Sequence, residues 1–209
     1  MRKQQGRNDM TLTAKAERTK AKLLASARKL ISERGFEHVS VEDITRDSGV
    51  AKGTFYHYFK CKEDVVAEIS FISAQEIIRK ATEYEGTVQE RVFFYVTHVF
   101  KDGEWSGLRL VRQWLRDSMD PDGSRESQEA VINMHQTIKK ILTAAIGERP
   151  GDLRKDAPIE TLAKLFMSHI TGVMTLWCIM NGAFSLSDTG GLKYTKLNID
   201  NLLSPYIIR

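Results

Sequence analysis

The sequence predicts an all-α protein in two parts, a small helix-turn-helix head and a larger helical bundle. Three observations carry that expectation. Apolar residues recur at helical spacing along most of the chain, with no alternating run long enough for a strand. Pro is scarce, at 4 in 209 residues, which leaves helix interiors intact. Turn residues gather in short clusters between the apolar stretches, and no internal repeat is visible at periods of roughly 20 to 50 residues.

Residues 1–12, with Arg2, Lys3 and Arg7, read as a flexible basic arm, and Met10 offers an alternative start. From Thr13 to Arg34, Leu23, Leu24, Ala27, Leu30 and Ile31 form the apolar stripe of an amphipathic helix. Gly35 stops it and Phe36 closes the end hydrophobically. Ser40 and Asp43 approximate a capping box, so a second helix starts at Val41. Ile44 is its main apolar residue, and Gly49 ends it after about two turns. A third helix covers Lys52 to Phe59. After "KCKED" a fourth starts near Glu63, its apolar face running from Val65 through Val66, Ile69, Ile72 and Ile77 towards Ala81.

Beyond "YEGT" the expected helices are Val88–Lys101, Leu108–Met119, Arg125–Gly147, Ile159–Asn181 and Leu192–Ile207. The expected loops are "KDGEWSG", "DPDGS", "GERPGD" and "SDTGG". The chain divides into a basic arm with a helix-turn-helix head, residues 1–62, and a linking helix with a larger helical bundle, residues 63–209.

Composition narrows the function classes. With 42% hydrophobic and 28% charged residues the chain is an ordinary soluble globule. Charge is unevenly spread: residues 1–62 hold 14 Lys/Arg against 7 Asp/Glu, whereas residues 63–209 hold 17 against 20. A basic end on a mildly acidic body points to a polyanion at that end, with a solvated basic surface as the bland alternative. Two cysteines, Cys61 and Cys178, make no disulfide framework, as a reducing cytosol expects. Cys61 reads as a plain loop residue, with a redox switch as the minor alternative. No signal-peptide core opens the chain, so a cytoplasmic location is expected. The longest apolar run, Ile159 to Ala183, is broken by Glu160, Lys164, Ser168, His169 and Asn181 and reads as a buried helix. The five histidines show no metal spacing, and no GxSxG, Walker loop, Rossmann fingerprint or zinc motif appears. No catalytic residue, metal site or cofactor is expected.

The most specific stretch is "SGVAKGTFYHYFKCKEDV", Ser48 to Val65. Short helix, glycine turn, short helix is the helix-turn-helix arrangement, whose second helix enters the major groove with its first turn against base edges. That turn holds Lys52 for charge, Gly53 for close backbone approach and Thr54 for a hydroxyl. Phe55 and Phe59 pack back onto the domain, while Tyr56, His57 and Tyr58 offer OH and ring N–H groups to the other faces. Lys62 stands over the flanking phosphate. Tyr56 and Tyr58 as plain packing residues are the bland reading.

The run "ASARKLISERGFEHVSVEDITRDSGVAKGTFYHYFKCKEDVVAEI" resembles, without gaps, the DNA-binding domain of the tetracycline-repressor (TetR-type) transcriptional regulators. The resemblance implies that Lys52, Gly53, Thr54 and His57 face bases or nearby phosphates. It places Tyr56, Tyr58, Lys62 and the Ser40 cap on the DNA backbone. Ala51 departs from the pattern where a Ser or Thr usually caps the recognition helix, a loss worth roughly 0.5–2 kcal/mol. Thr45 and Ser48 replace alanines that let the two helices close tightly. The resemblance further implies a homodimer on an inverted repeat, joined through the helices near 159–181 and 192–207. It also implies a small-molecule effector held in the C-terminal bundle, coupled to the heads through residues 63–82.

The segments expected to enclose that effector carry large, adaptable side chains: Phe93, Phe94 and His98; Trp114; Met134 and His135; His169, Met174 and Trp177. Apolar walls with a few polar points suit a largely apolar or aromatic ligand. Arg109, Arg112 and Arg116 recur at helical spacing, on a solvated face or, turned inward, against an anionic ligand. The favoured reading is a ligand-responsive regulator, a repressor in the first instance. An architectural or partner-responsive DNA protein without an effector is the alternative, and an all-α enzyme a weaker one.

Overall fold

The computed structural model describes residues 2–122 and 125–209, with side chains from residue 14 onward apart from Glu126 and Thr189. Nine α-helices are seen among the described residues: α1 (Arg2–Arg34), α2 (Val41–Ser48), α3 (Lys52–Tyr58), α4 (Lys62–Glu83), α5 (Val88–Ser106), α6 (Leu108–Met119), α7 (Arg125–Ala144), α8 (Ile159–Ile179) and α9 (Thr189–Leu203). Short 3₁₀ turns lie at Phe36–His38 and Ser204–Tyr206. Two compact units divide the chain at Ile72 and Ser73, within α4.

The N-terminal unit is built on α1, whose Leu23, Ala27, Leu30 and Ile31 are buried as their spacing requires. Ile44 of α2, Phe55 and Phe59 at the α3 end and Val65, Val66 and Ile69 of α4 complete its core. Each such side chain contributes about 1.5–3 kcal/mol on burial. The residues expected as an arm instead continue α1 back to Arg2. The α2 boundaries are set by local chemistry. The Ser40 hydroxyl accepts from the Asp43 amide at 3.1 Å, and the Asp43 carboxylate accepts from the Ser40 amide at 3.0 Å, a complete capping box. Gly49 ends α2 in the left-handed region, at φ 67°, which costs a glycine little.

In the C-terminal unit α5 packs on α6, α7, α8 and α9. It contributes Val92, Tyr95, Val96 and Phe100 to a core shared with Leu162, Phe166, Ile170, Met174 and Trp177 of α8. The chain "KDGEWSG", expected as a loop, continues α5 to Ser106. Tertiary packing overrides the turn residues there. Gly103 is buried against Met174, where an added Cβ would lie 3.2 Å from the Met174 methyl. Glu104 accepts from the Leu186 amide at 2.6 Å and from the Ser187 hydroxyl, anchoring the segment before α9. Arg112 donates to the Cys178 carbonyl at 2.5 Å and to Asn181 Oδ1 at 3.1 Å, finishing the end of α8 and not a ligand site.

The α7 helix ends at Ala144, short of Gly147, because the following residues join a small backbone ladder. Leu153 donates to the Ala145 carbonyl, Arg154 to that of Tyr206 and Ile208 to that of Asp152, all at 2.8–2.9 Å. The same ladder draws Ile207 out of α9. Among the described residues only α8 is long and apolar enough to cross a membrane; here one of its faces fills the core.

Candidate nucleic-acid interface

The α3 helix has two opposed faces. Phe55 is fully buried and Phe59 is 4% exposed, and their rings meet at 5.6 Å between centroids. Residues four apart share a helix face, so this pair pins α3 to the head. Lys52, Gly53, Tyr56 and His57 consequently point to solvent, with Tyr56 half exposed. Thr54 lies at the edge of this face, half-buried. A Cβ built on Gly53 meets nothing within 4 Å, so no internal packing calls for glycine there. As the sequence implied, Ala51 gives α3 no side-chain cap; the Thr54 amide donates to the Ala51 carbonyl at 2.9 Å instead.

Two expected backbone contacts are otherwise occupied. The Tyr58 hydroxyl donates to the Ala16 carbonyl at 3.1 Å, tying α3 to α1. The Lys62 ammonium donates to the carbonyls of Phe36 and Val39 at 2.6 and 2.7 Å and sits 3.9 Å from the Phe36 ring centroid. Lys62 thus holds the turn between α1 and α2 closed. Ser40 remains at the exposed start of α2, its hydroxyl shared with Asp43. Lys52 pairs with Glu42. Lys29 meets Asp47 at 2.8 Å and Lys20 meets Glu68 at 2.7 Å, pairs that only the fold brings together. Cys61 donates to Asp64 at 3.3 Å, and burial first of all pushes its thiol pKa up, which keeps it in the unreactive form.

The nine bundle residues are spread between the core and its edge. Met174 and Trp177 are buried in the core, and Phe93, Phe94, Trp114 and Met134 pack against it half-buried. Phe94 stacks on His98, 4.1 Å between centroids. His135 lies 3.5 Å from Glu160. The Thr195 hydroxyl donates to Gly191, so it accepts from His169 Nε2 at 3.0 Å, and burial lowers the His169 pKa. Phe93 borders a groove of about 240 Å³ between α5 and α9. A larger cleft of about 600 Å³, lined by residues 86–88, Arg91 and residues 144–152, includes none of the nine. No cluster of three or more metal-ligating side chains occurs among the described residues. The Thr87–Glu90 capping box at the start of α5 was readable as T-x-x-E but absent from the sequence expectations.

Residues 23–69 match the model of the family described as bacterial regulatory proteins, tetR family. The repressor KstR2 of Rhodococcus jostii is 25% identical over 194 residues, covering 90% of this chain and 92% of that one. The fatty acid metabolism regulator protein of Bacillus subtilis is 22% identical, covering 78% and 86%. Among solved structures, FadR of Bacillus subtilis in complex with stearoyl-CoA superposes with a TM-score of 0.58 at 21% identity, covering 88% and 97%. SmeT, the efflux-pump repressor of Stenotrophomonas maltophilia, gives 0.57 at 19%, covering 90% of each chain.

Lys62→Ala removes a charged donor from two carbonyls and is expected to cost about 1.5–3 kcal/mol of stability. Urea unfolding of the full chain checks this; an unchanged midpoint with a shallower salt dependence of DNA affinity would return Lys62 to the phosphates.

Proposed function

We propose that this chain, a transcriptional regulator of the tetR family, represses transcription in the cytoplasm as a homodimer bound to an inverted repeat. A small, largely apolar or aromatic effector releases it. One observation carries the reading: α3 is anchored by Phe55 and Phe59 while Lys52, Gly53, Tyr56 and His57 stand exposed on the opposite face, inside the segment that matches the family. That face enters the major groove, with Thr54 at its edge and Ser40 at the flanking backbone.

A single seven-residue helix reads only a few base pairs, so useful affinity calls for two, their half-sites roughly 34–36 Å apart or a multiple of that. The apolar residues left outside the core support a second copy. Leu165, Leu176 and Ile179 of α8 and Tyr194 and Leu197 of α9 are 42–75% exposed. Gly172, between them on α8, is exposed with open space beyond it. Two adjacent helices with apolar outer faces fit a four-helix interface with a partner copy.

The complexes of FadR with stearoyl-CoA and of SmeT with triclosan support an apolar effector here. The aromatic and methionine side chains of α5, α6, α7 and α8 would have to part to admit it, since the groove beside Phe93 falls below the roughly 300 Å³ of a typical ligand pocket. A ligand that binds the opened bundle better shifts the population towards it and, through α4, away from the DNA-bound form.

Selecting bound sequences from a random duplex pool should return an inverted repeat, bound less tightly as salt rises. Gly53→Ala should leave the melting temperature unchanged or higher, because the added methyl meets nothing, yet weaken binding to that repeat. Recovery of no common sequence, or unchanged binding by Gly53→Ala, would refute the placement of α3. Ile179→Arg with Leu197→Arg should halve the solution mass while the helical content stays constant. A retained dimer would move the interface elsewhere.

A further inference from the structure

The recognition surface carries an acidic residue where a polyanion is to dock. Glu42, second residue of α2, is half exposed and forms an ion pair with Lys52 in the first turn of α3. The other two carboxylates of α2 have structural work. Asp43 completes the Ser40 cap, and Asp47 holds Lys29 at 2.8 Å and accepts from Ser26, a residue buried on α1. Glu42 does neither: its carboxylate bonds the cation best placed to meet DNA. The pair keeps both groups charged, the Lys52 pKa raised by its hydrogen bond to Glu42 and the Glu42 pKa lowered by the same bond.

We propose that Glu42 is a specificity-determining residue that withholds Lys52 from random DNA and yields it only when α3 is fully seated. The inference rests on the DNA-binding reading above. Binding to random sequence is almost entirely phosphate neutralisation and counterion release. A lysine already neutralised by its own carboxylate adds little to it. Exposed ion pairs are weak, worth about a fivefold factor at most, so the pair survives a loose encounter yet opens when a base edge or a fixed phosphate replaces Glu42. Lys52 thereby counts in the specific complex and is nearly silent in the non-specific one.

The test compares the full-length chain with Glu42→Gln, Lys52→Ala and the double variant, on a short random-sequence duplex and on the repeat selected from the pool. Glu42→Gln should raise affinity for the random duplex roughly twofold to fivefold and steepen its salt slope by about 0.9. It should raise affinity for the repeat by less, so that discrimination falls. In the Lys52→Ala background the same change should do almost nothing. Glu42→Ala should behave like Glu42→Gln, and both should melt as the wild type does, since Glu42 lies outside the cap and the core. An unchanged random-duplex affinity, or an effect that persists without Lys52, overturns the inference. So does a loss of affinity confined to one cytosine of the repeat, which would make Glu42 a direct reader of that base. If the wild-type chain binds neither duplex, the DNA-binding reading fails first.

Discussion

The burial of Phe55 and Phe59 against α1 and α2 is the contact on which the functional surface depends. A helix of seven residues is far too short to be stable alone, so α3 exists only because one of its faces is held. Holding that face fixes the direction of the other. The exposed positions of Lys52, Gly53, Tyr56 and His57 are therefore a consequence of core packing, and the Tyr58 bond to Ala16 removes the remaining freedom to roll. The chemistry on the exposed face is a by-product of how two phenylalanines are accommodated.

Electrostatics follow from the same geometry and moderate the simple count of charges. The basic excess of residues 1–62 suggests a strong positive field, but Lys20, Lys29 and Lys52 each meet a carboxylate, and Lys62 is committed to backbone carbonyls. These pairs draw the helices of the head together with cations that would otherwise coat the surface. The net field of the head is smaller and more local than composition implies, and the proposed binding leans more on the fit of α3. In the bundle, apolar residues are divided between a core that is filled and an outer stripe on α8 and α9 that is not.

Much of this was legible in the sequence because it is encoded locally. The Ser40–Asp43 box, the Gly49 turn and the stripe from Leu23 to Ile31 each follow from spacings of one to eight residues. What escaped is encoded at long range. "KDGEWSG" has the composition of a loop, yet Gly103 and Glu104 serve contacts with Met174 and Leu186 that lie more than 70 positions away. Nothing near Lys62 in sequence reveals the carbonyls of Phe36 and Val39 that its ammonium meets. The nine residues expected at an effector site share size and adaptability, which suit a packed core as well as a cavity wall, and most of them lie in or against the core.

The central claim is that the exposed face of α3 is what touches DNA. Its most direct test is to record amide and side-chain NMR shifts of the full chain while the selected inverted repeat is added. The account predicts that the largest changes fall on Lys52, Gly53, Thr54, Tyr56 and His57, while Phe55 and Phe59 keep their core environment. Large shifts confined to residues 73–209, with α3 unmoved, would contradict it.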